Sequence, residues 1–84
     1  MRTDMSRALY LIDMRRWGDD NKHSYFWGLW ENYSEAEKHA KEHMVDRAGK
    51  YDGFILRANP NSFEWEVARI IHWGDFDVDT LEDK

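Results

Sequence analysis

The chain contains no cysteine, which excludes a disulfide framework, a thiolate nucleophile and any cysteine-based zinc site. It has one proline and no stretch rich in Pro, Gly or Ser that would mark a linker. No internal repeat or low-complexity segment is present either. No apolar run approaches the ~18 residues that a membrane helix needs. The stretch from Ala8 to Ile12 is cut short by Asp13. Such a run is also too short for the apolar region of a secretory leader, so the expected compartment is cytoplasmic.

Aromatic rings take the place of staples. Phe, Trp and Tyr make up 15% of the 84 residues, five of them Trp. Each large ring buries ~150–250 Å², enough for a small chain to build a core. With 42% hydrophobic and 35% charged residues, the composition is that of a soluble globular protein rather than a disordered one. One small domain, 1–84, is expected, with a loose N-terminus at 1–7 and an acidic C-terminal tail at 75–84.

Charge divides unevenly along the chain. Residues 1–30 carry five Lys/Arg against four Asp/Glu, whereas residues 31–84 carry seven against thirteen. Asp75, Asp77, Asp79, Glu82 and Asp83 face only Lys84 in the last ten residues. Acidity concentrated in this way disfavours a phosphate backbone as ligand, since affinity there comes from clustered Lys and Arg. It favours a basic partner surface.

Local patterns predict the elements. Ala8–Arg16 reads as a strand, Gly18–Lys22 as a turn and Ser24–Trp30 as the return strand of a hairpin. Ser34 followed by Glu37 has the spacing of a capping box, and Gly49 suits a left-handed C′ position. Ala36, Ala40, Met44 and Ala48 form a narrow stripe between them, which predicts a helix over about 35–48. Glu37–Lys41 and Lys38–Glu42 add i,i+4 pairs on its solvated side. A stripe of Ala lets the helix approach closely to a sheet of large rings. Lys50–Ala58 is the third strand and Asn59–Ser62 a turn. Phe63, Trp65 and Val67 then alternate with Glu64, Glu66 and Ala68 in a strand with one buried face. This strand is expected to reach Trp73, with a bulge near Arg69–Ile71. The expected fold is α+β: a two-layer β-β-α-β-β domain with a four-stranded antiparallel sheet and one helix packed on one face.

A single helix covers one face of a sheet, yet both faces of the first hairpin read as apolar. Tyr25, Trp27 and Leu29 oppose Phe26 and Trp30, and Leu9 and Leu11 oppose Tyr10, Ile12 and Met14. The second face therefore needs a partner protein, a second copy, or the tail through Phe76, Val78 and Leu81.

Chemical motifs are sparse. His39-Ala40-Lys41-Glu42-His43 matches the H-x-x-E-H pattern of inverted zinc proteases. A protease also needs a third ligand and a cleft, so no metal or cofactor is expected and His39 and His43 read as edge residues of the helix. His23 and His72 lack a nucleophile at recognisable spacing. Glu64 and Glu66 lie about 6.5–7 Å apart on a strand, a glycosidase-like separation that a solvated outer face explains more simply. No catalytic residue is assigned and no enzyme is expected. Sheet aromatics with Arg15, Arg16 and Lys22 suggest a single-stranded nucleic-acid platform as an alternative. The tail alternates acidic and apolar residues, which suits an edge strand, a docking segment that imitates DNA phosphates, or a frayed terminus.

In size, acidity, lack of catalytic motifs and β-β-α-β-β order, the whole chain resembles the small phage-encoded inhibitors of the anti-CRISPR group. The strand Tyr10-Leu11-Ile12-Asp13, the capped helix and the segment Tyr51-Asp52-Gly53-Phe54-Ile55 carry that order. No functional residue of the group maps onto a position here. The resemblance implies a non-enzymatic inhibitor in a host bacterial cytoplasm that binds a CRISPR effector protein or complex and blocks DNA binding or nuclease recruitment. The residues expected to meet such a basic, nucleic-acid-handling partner are Glu64, Glu66, Asp75, Asp77, Asp79, Glu82 and Asp83. A homodimeric accessory protein is the other alternative.

Overall fold

Strand-forming residues in the two hairpins and helix formers between them give the expected order. The computed structural model describes residues 8–18, 23–59 and 64–84. The N-terminal segment 1–7 and most of both expected turns (19–22 and 60–62) lie outside them. Strands β1 (Leu9–Arg16) and β2 (Tyr25–Trp30) precede helix α1 (Tyr33–Asp46), and β3 (Tyr51–Asn59) and β4 (Glu64–Ile71) follow it. All four strands form one antiparallel sheet in the order β2-β1-β3-β4. The α+β architecture is as expected. The last strand stops at Ile71, short of Trp73, because the chain turns into a single 3-10 turn at Trp73–Asp75.

The helix starts two residues earlier than its capping-box signal. Asn32, not Ser34, is the N-cap, and its side chain accepts from the Glu35 N–H at 3.2 Å. Asn is at least as good a cap as Ser, and the earlier start lets Tyr33 meet Tyr10 edge to face with ring centroids 5.7 Å apart. Glu37 is thereby freed from capping and turns to Tyr33, Lys41 and Arg69. At the other end the Gly49 N–H reaches Met44 O and the Ala48 N–H reaches Val45 O. This is the Schellman pattern, with Ala48 rather than Gly49 at C′. Both residues have positive φ, 56° and 75°, and Ala48 lies outside the buried stripe.

Ala36, Ala40 and Met44 lie against Ile12, Met14, Ile55 and Ile71, all fully buried, with Phe76 closing the cluster. The glycine in β2 sets which rings join them. Leu11 pairs with Leu29 while Ile12 pairs with Trp27, so Gly28 is an extra residue, a bulge with φ 73°. The bulge reverses the expected facing of the next two residues. Trp30 turns inward with Tyr25 and Trp27, and Leu29 points outward with Phe26. A second bulge sits in β4: Leu56 pairs with Val67 and Ile55 with Arg69, leaving Ala68 over, one residue before its expected place. The alternation in β4 is real, but its apolar side is the open one, with Trp65 and Val67 about half exposed.

Candidate functional site

The tail is built into the fold. Phe76 forms an antiparallel bridge with Asp83, the Asp77 N–H donates to Glu82 O at 2.8 Å and the Lys84 N–H to Asp75 O at 3.0 Å. Phe76 is 1% exposed beneath the edge of Trp73. Its ring and Leu81 pack beside α1, so the tail lies on the helix side and does not cover the second sheet face.

This arrangement divides the acidic residues expected to meet a partner. Asp75 accepts from the His72 N–H at 2.8 Å. Asp77 accepts from the Asp79 N–H at 2.8 Å and lies 3.4 Å from the Thr80 N–H. Asp83 pairs with Arg69 at 2.8 Å and with Lys41 at 3.0 Å. Arg69 also grips Glu37, and the buried Lys41 ammonium donates to Leu81 O at 2.8 Å. Hydrogen bonds from Arg69 and then Lys41 hold the Asp83 carboxyl at about 2, well below its ordinary value. Those three carboxylates hold structure. Asp79 and Glu82 remain exposed. Glu64 and Glu66 are exposed on the helix-bearing side at the far end of β4, where Glu66 reaches Arg57 at 3.2 Å.

Between α1 and the tail runs an open groove lined by Glu42, Val45, Asp46, Val78, Asp79 and Leu81. Its floor is aliphatic and its rim acidic. Glu42 lies 3.2 Å from His39 Nδ1, whereas Asp46 and Asp79 make no ion pair among the described residues. Sequence reading found Asp79 but missed Glu42 and Asp46. Their i,i+4 spacing on the same helix was a usable signal, but the groove exists only because the tail folds back.

The H-x-x-E-H residues have other work. His43 lies face to face on Trp27, and its Nε2 is 2.6 Å from the Tyr25 hydroxyl. His39 stacks on Trp30 with centroids 5.2 Å apart and sits between Glu35 and Glu42. Burial, helped by the Arg47 cation and opposed by Asp46, lowers the His43 pKa. Among the described residues, no group of three His, Asp or Glu is placed to hold a metal ion.

Among the described residues, the second sheet face is open. Across its middle run Leu29, Leu11, Leu56 and Val67, one from each strand. On one side lies the row Phe26, Asp13, Phe54, Ile70, and on the other Leu9, Ala58, Trp65. Among the described residues, six of the eight strongly exposed large apolar side chains stand here, with exposures from 39% at Leu9 to 64% at Phe26. Arg15 binds Asp13 at 2.8 Å and lies over the Phe54 ring, 4.2 Å from its centroid. Arg16 projects to the opposite face, beside Arg47 and Lys50, and Lys22 lies outside the described residues. Of the two described cations expected to flank a stacking platform, Arg15 lies on it and Arg16 does not.

Comparison with protein-family models, curated proteins and solved structures finds no match to this chain. Among the described residues, no helix is long and apolar enough to cross a membrane.

Proposed function

We propose that this chain is a non-enzymatic protein-binding inhibitor that engages a basic, nucleic-acid-handling protein, with a CRISPR effector subunit as the partner to test. It acts by occlusion, covering a surface that would otherwise receive DNA or a recruited nuclease. The observation that carries this reading is the groove between α1 and the tail, where the exposed carboxylates of Asp46 and Asp79 rim Val45, Val78 and Leu81. An aliphatic floor under an acidic rim complements Lys and Arg, whose apolar stems lie on such a surface while their charges meet the rim.

The position of Asp46 supports the reading. It is the last residue of α1, where the helix dipole disfavours a carboxylate. A residue placed against its own helix contributes to something other than helix stability. Recruitment of a basic surface is such a role, because opposite charge accelerates encounter and fixes orientation.

The test is co-purification of the tagged chain with a CRISPR effector complex, with and without nuclease, using wild type and Asp46→Lys/Asp79→Lys. A nuclease-resistant complex that weakens with salt is expected. The variant should bind roughly tenfold or more weakly while remaining at least as stable as wild type, since Lys at position 46 suits the dipole. Binding that vanishes with nuclease, or that the variant leaves unchanged, removes the groove from the function.

A further inference from the structure

We propose that two copies of this chain associate through their open sheet faces, giving a four-layer dimer with sheet against sheet inside and both helices outside. The face is four strands wide, and its exposed large apolar residues come from β1, β2 and β4, with the half-buried Phe54 and Leu56 of β3 between them. The tail, one of the covers expected from sequence, is committed to the helix side through Phe76 and Leu81. Among the described residues the face stays uncovered, and a second molecule can take it.

Charge points to a second copy. On this face the strands present Asp13, Arg15 and Asp52, and each has a partner. Asp13 and Arg15 bind one another; Asp52 accepts from Trp17 Nε1 at 2.9 Å and lies 3.1 Å from His72 Nδ1. Among the described residues, the Asp13–Arg15 pair is self-compensating and Asp52 is the one other charge the strands present here, so little charge is left to select a partner of either sign or to repel an identical face. The exposed carboxylates Asp46, Asp79 and Glu82 lie on the helix-and-tail side, so two copies meet with much of their like charge directed outward. At a two-fold axis the Asp13–Arg15 pair of one copy can also satisfy that of the other.

Area agrees. Four strands ~4.8 Å apart and about eight residues long, at ~3.3 Å each, span a face of roughly 500 Å². Two such faces bury on the order of 1,000 Å², the lower bound for a specific interface. Sheets packed face to face lie ~10 Å apart with their side chains interdigitated. The central row Leu29, Leu11, Leu56, Val67 then meets its own equivalent.

The experiment is sedimentation equilibrium and light scattering on wild type, Leu29→Arg and Val67→Arg. These two positions end the central row on opposite edge strands and are 58% and 51% exposed in the single chain. Substitution there should leave the circular dichroism spectrum of the domain intact. Wild type is expected at twice the 10.2 kDa of one chain, and each variant should raise the dissociation constant by ~100-fold or more. Wild type at single-chain mass at about 100 μM, far above the Kd expected of a specific interface, overturns the proposal. So do variants that stay dimeric, and so does a different protein found seated on the face. Neither substitution touches Asp46 or Asp79, so loss of the dimer and loss of partner binding are read separately.

Discussion

Trp27 and His43 lie parallel, with ring centroids 4.0 Å apart and an interplanar angle of 8°. The stack joins β2 to α1, and the Tyr25 hydroxyl holds the imidazole from the strand side. The charged groups acting on the ring are Arg47 and Asp46 of its own helix, with Tyr25 facing it from β2.

Because burial lowers the His43 pKa in the folded chain, the unfolded chain takes up its proton first as pH falls. The stability linked to this group is whole above about 6.5, its unfolded value, and declines as pH drops from there through the folded value. Urea midpoints should therefore fall between pH 7.5 and pH 5. His43→Phe keeps a ring against Trp27 and should flatten that dependence. An equally steep slope in the variant would assign the pH response elsewhere.

Asp83 gives a second, more acidic transition. Its carboxyl sits at about 2 in the folded chain, below its ordinary 3.8. The linked stability is present above pH 4 and lost as pH falls toward 2. Asp83→Asn should lower Tm at pH 7, and the gap from wild type should close near pH 2. In the same variant, amide exchange at Asp77 and Lys84 should accelerate, since both N–H groups belong to the fold-back that Asp83 pins.

Ala48 occupies a left-handed position that favours glycine, with φ 56° and an exposed side chain. Ala48→Gly relieves that backbone at some cost in unfolded-state entropy, for a net gain of about 0.5–1 kcal/mol. In a domain of this size the gain should raise Tm by ~3–6 °C, read by calorimetry. A lower Tm would show that the backbone at 48 is not left-handed in solution.

Gly28 should be the least tolerant position in β2. A Cβ there would fall within the Trp30 ring, on a backbone of φ 73°. Gly28→Ala should cost about 2–4 kcal/mol. Deleting Gly28 should cost less, because the remaining Tyr25-Phe26-Trp27-Leu29-Trp30 alternates with every side chain on its present face. Urea unfolding of the two variants decides the order.

The fold was legible because its signals were periodic. The Ala36-Ala40-Met44 stripe named a buried face without knowledge of its partner, and the alternation in β1 named which residues share a face. What failed was phase. Leu29 and Trp30 were exchanged because a one-residue bulge carries no periodic signature, and only the φ available to Gly28 marks it. Trp65 and Val67 were placed inside because alternation says which residues share a face but not which face is covered. The acidic set was misread for a related reason. Asp75, Asp77 and Asp83 look like a solvated stripe in a line of sequence, and their roles depend on a chain reversal between 77 and 82 and on Arg69 and Lys41 brought from elsewhere. Glu42 and Asp46 were overlooked because a carboxylate on a polar helix face has no distinguishing pattern until another segment lies beside it.

The two bulges have a consequence for the borders of the sheet. Each sits on an outer strand, Gly28 in β2 and Ala68 in β4, while the inner strands β1 and β3 pair without a break in register. A kinked, over-twisted border is a poor template for a foreign strand. Growth by adding strands, which has no natural end, is discouraged at both sides. Contact across the flat of the sheet stops at two. The same chain can thus keep a broad greasy surface and still be protected from fibrous polymerisation.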